Sequence, residues 1–312
     1  MADKYKLTVG ADPEFFVINK KEKKVVPSCR RFGGEKRAPM FLSPDGGFLE
    51  DGTTVEFNLT PSSDLRQTNK KIRNLLLVFL NKYPEYVISP LSSHRFNKAD
   101  LKKFPEAFQL GCAPDLFAYG ARIVPSIERF GEKRFAGGHI HLGIDPWPEG
   151  LSKELIVKFM DICFLGPLLG TLADKSRWEF YGHPGLFRYT SYGVEYRSPD
   201  NHWCNPEYYA KLDISKKDYL DAVIIRVDDA LAHLMDVLNI DTHGARVEKE
   251  LKEFIKSLGF HTPMESLSIY KDSTELIPYQ HCSNDLLWFL KGQSDGRRKE
   301  AQRRKIHKSI VS

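Results

Sequence analysis

Apolar and polar positions along this chain recur at two periods, two residues in some stretches and between three and four in others, and the changes of period divide it into strands and helices. Residues 5–28 carry an apolar run through Val9, Phe15, Phe16, Val17 and Ile18, then a charged turn, then Val25-Val26-Pro27, which predicts a hairpin. Pro13 has no N–H to give to a ladder, so Asp12-Pro13-Glu14 is expected at an edge, a strand start or a bulge. Residues 29–52 read as a basic loop that becomes rich in Gly and Asp, ahead of a strand over 53–59. Thr60-Pro61-Ser62-Ser63-Asp64 is a helix-start signature, and Ile72, Leu75, Leu76, Phe79 and Leu80 follow at helical spacing until Tyr83-Pro84.

Residues 86–91 predict a short strand, 92–107 an irregular polar segment and 108–119 an extended one. In the last of these, Gly111-x-x-Pro114-Asp115-x-Phe117 echoes Gly10-x-x-Pro13-Glu14-x-Phe16. Ser152 opens a helix through Leu155, Ile156, Phe159, Met160 and Cys163, kinked or ended at Gly166-Pro167. A long helix is expected over 216–239, with Leu220, Val223, Ile224, Val227, Leu231, Leu234, Met235 and Leu238 on one face. A shorter one carries Val247, Leu251, Phe254, Ile255 and Leu258.

Four of the predicted extended stretches break the apolar pattern in the same way, with two polar groups two residues apart. They are Asp12/Glu14 in GADPEFFV, Glu56/Asn58 in TTVEFNL, His139/His141 in GGHIHLG and Glu195/Arg197 in YGVEYRSP. Residues i and i+2 of a strand share a face, so four such strands side by side would make one polar floor. Burying that many carboxylates and imidazoles is unfavourable unless metal, phosphate or counter-charge satisfies them. The floor is therefore read as a site.

Composition changes this picture little. The 312 residues are 41% hydrophobic and 28% charged, ordinary for a globular chain. No apolar run reaches the length of a membrane span, and MADKYKLTVGAD lacks the apolar core of a signal peptide, so a cytoplasmic protein is the expectation. Five cysteines without a CxxC pair suggest neither a disulfide framework nor a structural zinc site. The formal charge of +5 belongs to the end of the chain: residues 297–312 hold seven Lys/Arg against one Glu. The polar pairs span Asp12 to Arg197 with no linker between them, which predicts one catalytic domain over 1–290 and a basic tail over 291–312.

Asp12, Glu14, Glu56 and Glu195 are hard oxygen ligands, suited to magnesium or manganese more than to zinc. Magnesium commonly arrives with phosphate, and Arg197 offers a permanently charged fork to phosphate or carboxylate oxygens. The combination favours phosphoryl transfer.

TTVEFNLTP, GGHIHLG and VEYRSPDNHWCNPEYYA resemble three active-site strands of glutamine synthetase. GADPEFF, GCAPDLFAY and the run Arg177-x-x-x-Tyr181-Gly182-x-x-Gly185-x-x-Arg188 ahead of Tyr192-Gly193-Val194-Glu195-Tyr196-Arg197 are more similar to the phage amidoligases, the phiEco32-like COOH-NH2 ligase type 2 group of the glutamine synthetase and glutamate-cysteine ligase superfamily. The resemblance covers about residues 8–210. It implies an α+β fold, a curved antiparallel sheet forming a partial barrel with helices on its outer face. It also implies a ligase that uses ATP and Mg2+, with Mn2+ as a substitute, to join a carboxylate to an amine through an acyl phosphate. The substrates would be small molecules or peptides, and a second copy of the chain is a possible partner at the site. The location would be the host cytoplasm if the chain is phage-encoded.

Carried over by position, Glu14 and Glu56 match ligands of the amine-side metal, and Asp12, His139 and Glu195 those of the metal that bridges the ATP phosphates. His141 would approach the nucleotide phosphates. Arg197 matches the arginine that steadies the transferred phosphoryl group, with Arg188 and Arg177 as further phosphate or carboxylate contacts. Asp12 stands where glutamine synthetase has glutamate, and no match to the ammonium-site loop is found, which puts ammonia in doubt as the amine. Two rival readings stay open: a metal-dependent hydrolase using His139 and His141 as transition-metal ligands, and a non-enzymatic nucleic-acid-binding protein acting through its basic tail.

Overall fold

The computed structural model describes residues 4–35, 38–108, 116–119, 131–169, 172, 174, 177, 182–240, 249, 250 and 253. The echo at 111–115, Tyr181, nearly all of the helix expected over 247–258, and the basic tail with its boundary at 290 lie outside the described residues.

In chain order the strands are β1 (Lys6–Ala11), β2 (Glu14–Phe15), β3 (Val17–Asn19), β4 (Lys24–Val26), β5 (Met40–Ser43), β6 (Gly46–Asp51), β7 (Thr54–Leu59), β8 (Tyr86–Ile88), β9 (Ser93–Arg95), β10 (Leu116–Phe117), β11 (Lys133–Phe135), β12 (Ile140–Asp145), β13 (Leu186–Tyr189) and β14 (Gly193–Tyr196). The helices are α1 (Leu65–Lys82), α2 (Lys98–Leu101), α3 (Lys153–Met160), α4 (Gly166–Leu169), α5 (Pro206–Lys211) and α6 (Ile214–Ile240). The strand pairs among the described residues are antiparallel, and the class is α+β with no closed barrel among those strands.

Two sheets matter for the site. One has the order β1-β12-β14-β13-β10, the other β2-β7-β6-β5, and the chain steps from the first to the second across Asp12-Pro13. Pro13 explains the step. It cannot donate to a ladder, but its carbonyl accepts from Phe57 N at 3.0 Å, while Asp12 N and Glu14 N on either side donate to His139 O (3.4 Å) and Gly137 O (2.8 Å). The first half of the expected hairpin is thereby cut into three: β1, β2 and β3 enter three different sheets, and only β3 and β4 pair as a hairpin, with Val17 opposite Val26.

Alternation gives each strand of the floor two unlike faces. On β12 Ile140, Leu142 and Ile144 are buried in the core, as are Val194 and Tyr196 of β14 and Val55 and Phe57 of β7. Helices α1 and α3 pack against these strands, α1 on β1, β5, β6 and β7, α3 on β13 and β14. Phe79 of α1 meets Phe48 edge-on at 5.1 Å and Phe57 at 5.5 Å, and Phe32 closes the cluster at 5.1 Å.

Helix α1 begins as its sequence predicts, Asp64 accepting from Gln67 N at 2.7 Å. A second carboxylate, Asp228 of α6, accepts from Leu65 N at 2.7 Å, so the positive end of α1 also fastens the longest helix. That helix spans Ile214–Ile240, slightly longer than its apolar periodicity predicts. Ser152 caps α3, which passes through a π turn at Asp161–Leu165 and continues as α4, so Gly166-Pro167 is preceded by a widened turn and does not end the helix. Asp161, in that turn, is buried under the sheet and accepts from Tyr196 (2.5 Å) and Tyr119 (2.8 Å) hydroxyls.

Two expected loops are corrected. Residues 29–52 contain the strands β5 and β6, and 92–107 contain β9, α2 and a 3-10 turn at Pro105–Phe108. In the first case glycine disguised a strand. A Cβ at Gly46 or Gly47 would strike the backbone of β7 or β5, so close pairing requires the two residues that weaken the strand pattern.

Candidate metal and active site

The register of the first sheet puts Gly10, His141, Glu195 and Arg188 in one row across β1, β12, β14 and β13. Two residues further along the same face come Asp12, His139 and Arg197. In the second sheet Glu14 of β2 stands directly opposite Glu56 of β7. The polar pairs at 139/141 and 195/197 therefore share one floor, as their spacing predicts, and the pair at 12/14 joins that floor to the second sheet, with Asp12 just beyond β1 and Glu14 in β2. The pair at 56/58 divides: Asn58 stands opposite Gly47, one step beyond the site.

Two groups of potential ligand atoms lie on this floor, each with its atoms within 4.8 Å of one another: Asp12, His141 and Glu195, and Glu14, Asp51 and Glu56. In the first, His141 Nε2 is 3.1 Å from Asp12 Oδ1, and His139 Nδ1 is 3.4 Å from the same oxygen and 3.9 Å from Glu195 Oε1. Asp12 Oδ1 and His141 Nε2 are both buried and face each other outside hydrogen-bond geometry. His141 thus takes a place in the ligand group itself, where the resemblance put His139 and reserved His141 for phosphate. His139 borders the same oxygen from the other side. Gly137 lets it do so, because a Cβ there would collide with the His139 ring.

The second group is held from its back. Glu14 Oε2 accepts from Gly137 N at 2.8 Å, and Glu14 N donates to Gly137 O at 2.8 Å. Asp51 is the residue that sequence reasoning missed. It ends β6 at the Asp51-Gly52 turn, and Asp-Gly between apolar stretches is itself a hairpin signal, one that the reading of 29–52 as a loop passed over.

Electrostatics divides the two groups. Burial opposes ionisation of Asp12, yet the His141 and His139 imidazoles outweigh it and hold the carboxyl well below the usual range. Burial, then the nearby Arg197, push His139 down to about 4, leaving it neutral, the form in which histidine binds a metal. Burial works against protonating His141 too, but Asp12 outweighs it and raises that ring. Glu14 goes the other way: burial, then repulsion from Asp51, push it up to about 7. A carboxyl that keeps its proton near neutrality beside two other acids marks a place short of positive charge.

Glu195 is the junction of acid and base. Arg197 donates to Glu195 Oε1, and Arg188 reaches Glu195 Oε2 at 3.6 Å. Arg197 is 2% exposed and Arg188 is half-buried on the site face. Arg177 has a different setting: it is 1% exposed, donates to Ser198 O at 3.0 Å and fills the space above Gly182, where a Cβ would meet Nη1 at 2.5 Å. These contacts make it a strut beneath the segment that follows Arg197.

No protein-family model matches the chain, and no curated protein matches it. Among the described residues no helix is long and apolar enough to cross a membrane.

The residues fit a pair of divalent cations by the chemistry of the donors. One group is all carboxylate, the other two carboxylates and an imidazole, with a second imidazole against it. The all-carboxylate set is of the hard-oxygen kind that takes Mg2+ or Mn2+, and the imidazoles of the other set extend its range to transition metals.

Proposed function

We propose that this chain is an ATP- and Mg2+-dependent carboxylate–amine ligase on a glutamine-synthetase-like curved sheet, of the phage amidoligase kind. The observation that carries the reading is the adjacency of the two ligand groups across Asp12-Pro13-Glu14, with two guanidiniums converging on Glu195 at the edge of one of them. One carboxylate of the Asp-Pro-Glu step belongs to each group, so a single stretch of chain fixes the spacing of both.

Bound cations would neutralise the phosphates of ATP and the charge that develops on the transferred phosphoryl group. Asp12, His141 and Glu195, with His139 beside them, would hold one, and Glu14, Asp51 and Glu56 the other. Arg197 and Arg188 present fixed donors to the phosphoryl oxygens and are kept in place by Glu195. A carboxylate substrate, whose oxygen is a poor leaving group, becomes an acyl phosphate; the amine then attacks it and phosphate leaves. The amine must be neutral to attack, and a nearby carboxylate would take its proton.

The test is incubation of the protein with Mg2+-ATP and pools of amino acids, polyamines and cell-wall peptides. Mass spectrometry is expected to find a product lighter than its two precursors by one water, with ADP and phosphate released. Activity that needs no ATP and prefers Zn2+ would replace the ligase by the hydrolase. Nucleic-acid binding that falls steeply with salt and survives Glu195→Gln would favour the tail-based reading.

Asp51 yields a prediction independent of the resemblance. Asp51→Asn keeps shape and removes charge, so one of two Mn2+ equivalents seen by calorimetry is expected to weaken at least about tenfold while the other is unchanged. Equal binding by wild type and variant would remove Asp51 from the site.

A further inference from the structure

We infer that Tyr192, in the turn between β13 and β14, is a positioning residue for His141. Its hydroxyl holds the Nδ1 side of the imidazole so that Nε2 is the atom turned to the Asp12 group. The inference rests on the two-cation reading above and gives a role to a residue that opens the YGVEYRSP stretch but belongs to neither ligand group.

The geometry is specific. The Tyr192 hydroxyl and His141 Nδ1 are hydrogen-bonded, and the rings lie nearly parallel, 23° apart with centroids at 5.9 Å. On the other edge of the same ring, Nε2 faces Asp12 Oδ1 at 3.1 Å. An imidazole that ligates through one nitrogen has its tautomer set by what the other nitrogen bonds. A phenol oxygen accepting from Nδ1–H leaves the Nε2 lone pair for a cation. Carboxylate and backbone carbonyl are the usual acceptors in that position; here a neutral hydroxyl takes it, adding no further negative charge to a floor already rich in carboxylates.

The backbone is arranged to allow this reach. Tyr192 O accepts from Ile144 N at 3.3 Å, and Thr190 and Gly193 exchange backbone bonds at 3.1 and 3.4 Å, so the turn is fastened to β12. Between the turn and His141, on the same face of β12, is Gly143. A Cβ at Gly143 would meet Tyr192 Cδ2 at 3.5 Å, Tyr192 O at 3.3 Å and Thr8 Oγ1 at 2.5 Å. The last glycine of GGHIHLG thus clears the path along which the tyrosine ring leans toward His141. Tyr192 itself is 47% exposed, so its hydroxyl can be removed without opening the core.

The experiment compares wild type with Tyr192→Phe in the full chain. Calorimetric titration with Mn2+ is expected to show one equivalent weakened about tenfold or more and the other unchanged. Nitrogen-15 NMR of the Mg2+-loaded protein is expected to show His141 protonated at Nδ1 in wild type and a mixture of tautomers in the variant. A merely structural role for Tyr192 would move the melting temperature and leave the tautomer alone. Wild-type Mn2+ affinities together with an unchanged tautomer in Tyr192→Phe would overturn the inference while leaving the two-cation reading intact. Wild type that binds no Mn2+ would overturn that reading, and the inference with it.

Discussion

Arg197→Lys is expected to lower ATP-dependent product formation by about two or more powers of ten while the protein unfolds near the wild-type temperature. Lysine is the informative replacement because of what Arg197 touches. The guanidinium is almost fully buried and donates to Glu195, itself 6% exposed. Truncation to alanine would leave a buried carboxylate facing Arg188 at 3.6 Å and His139 at 3.9 Å, and breaking a buried pair in this way costs about 3–5 kcal/mol. Loss of activity in the alanine variant would therefore confound unfolding with chemistry. A lysine supplies the charge that Glu195 requires but lacks the planar fork that can bond Glu195 and a phosphoryl oxygen at once. Turnover of the lysine variant within a few-fold of wild type, at saturating Mg2+-ATP, would reject Arg197 as a phosphoryl contact. A lower affinity for ATP with turnover preserved would place it in ground-state binding only.

The parts of this site that could be read from the sequence are those where two polar groups follow one run of backbone. Spacing of two residues states which face a side chain takes, and that sufficed for His139, His141, Glu195 and Arg197, whereas Asp12 and Glu14 fall on either side of the step between two sheets. It cannot state which strands are neighbours. Glu14 stands opposite Glu56, and His141 opposite Glu195, because of the register, which is set by apolar positions such as Val55, Ile140 and Val194 on the other face. Asp51 escaped for a local reason, since the glycines that let β6 approach its neighbours also erase its strand pattern. Tyr192 escaped because turn residues have no periodicity, and its partner lies 51 positions away. The helices were the more legible half. Ile72, Leu75, Leu76 and Phe79 are all buried as their spacing requires, and the caps at Asp64 and Ser152 form where they were expected. The widened turn at Asp161–Leu165 has no signature in hydrophobic spacing, and it places an acid in the core that no amphipathic pattern would choose.

That acid makes stability depend on pH between about 4 and 7. Burial pushes Asp161 up to about 7 from an ordinary 3.8, although the hydroxyls of Tyr196 and Tyr119 and the Gly185 amide favour its charged form. Below about pH 4 the carboxyl is protonated in folded and unfolded chains alike, and it contributes no pH dependence. Between about 4 and 7 the unfolded chain gives up the proton and the folded one keeps it, so folding takes up a proton and stability falls as pH rises. Above 7 both are ionised and the full penalty remains. At roughly 1.4 kcal/mol per pKa unit, the interval amounts to about 4 kcal/mol as an order of magnitude. Other groups titrate in the same range, so the quantity to measure is the difference between wild type and Asp161→Asn in chemical denaturation at several pH values. The wild type is expected to lose stability relative to the variant as pH rises from 4 to 7.5, and parallel curves would show that Asp161 is ionised throughout. The functional stake lies in Tyr196, which hangs from Asp161 on one face of β14 while Glu195 and Arg197 project from the other. Weakening the tie from behind is expected to loosen both residues of the pair, so the asparagine variant should also lose part of its Mn2+ affinity at the Asp12 group without any ligand having been changed.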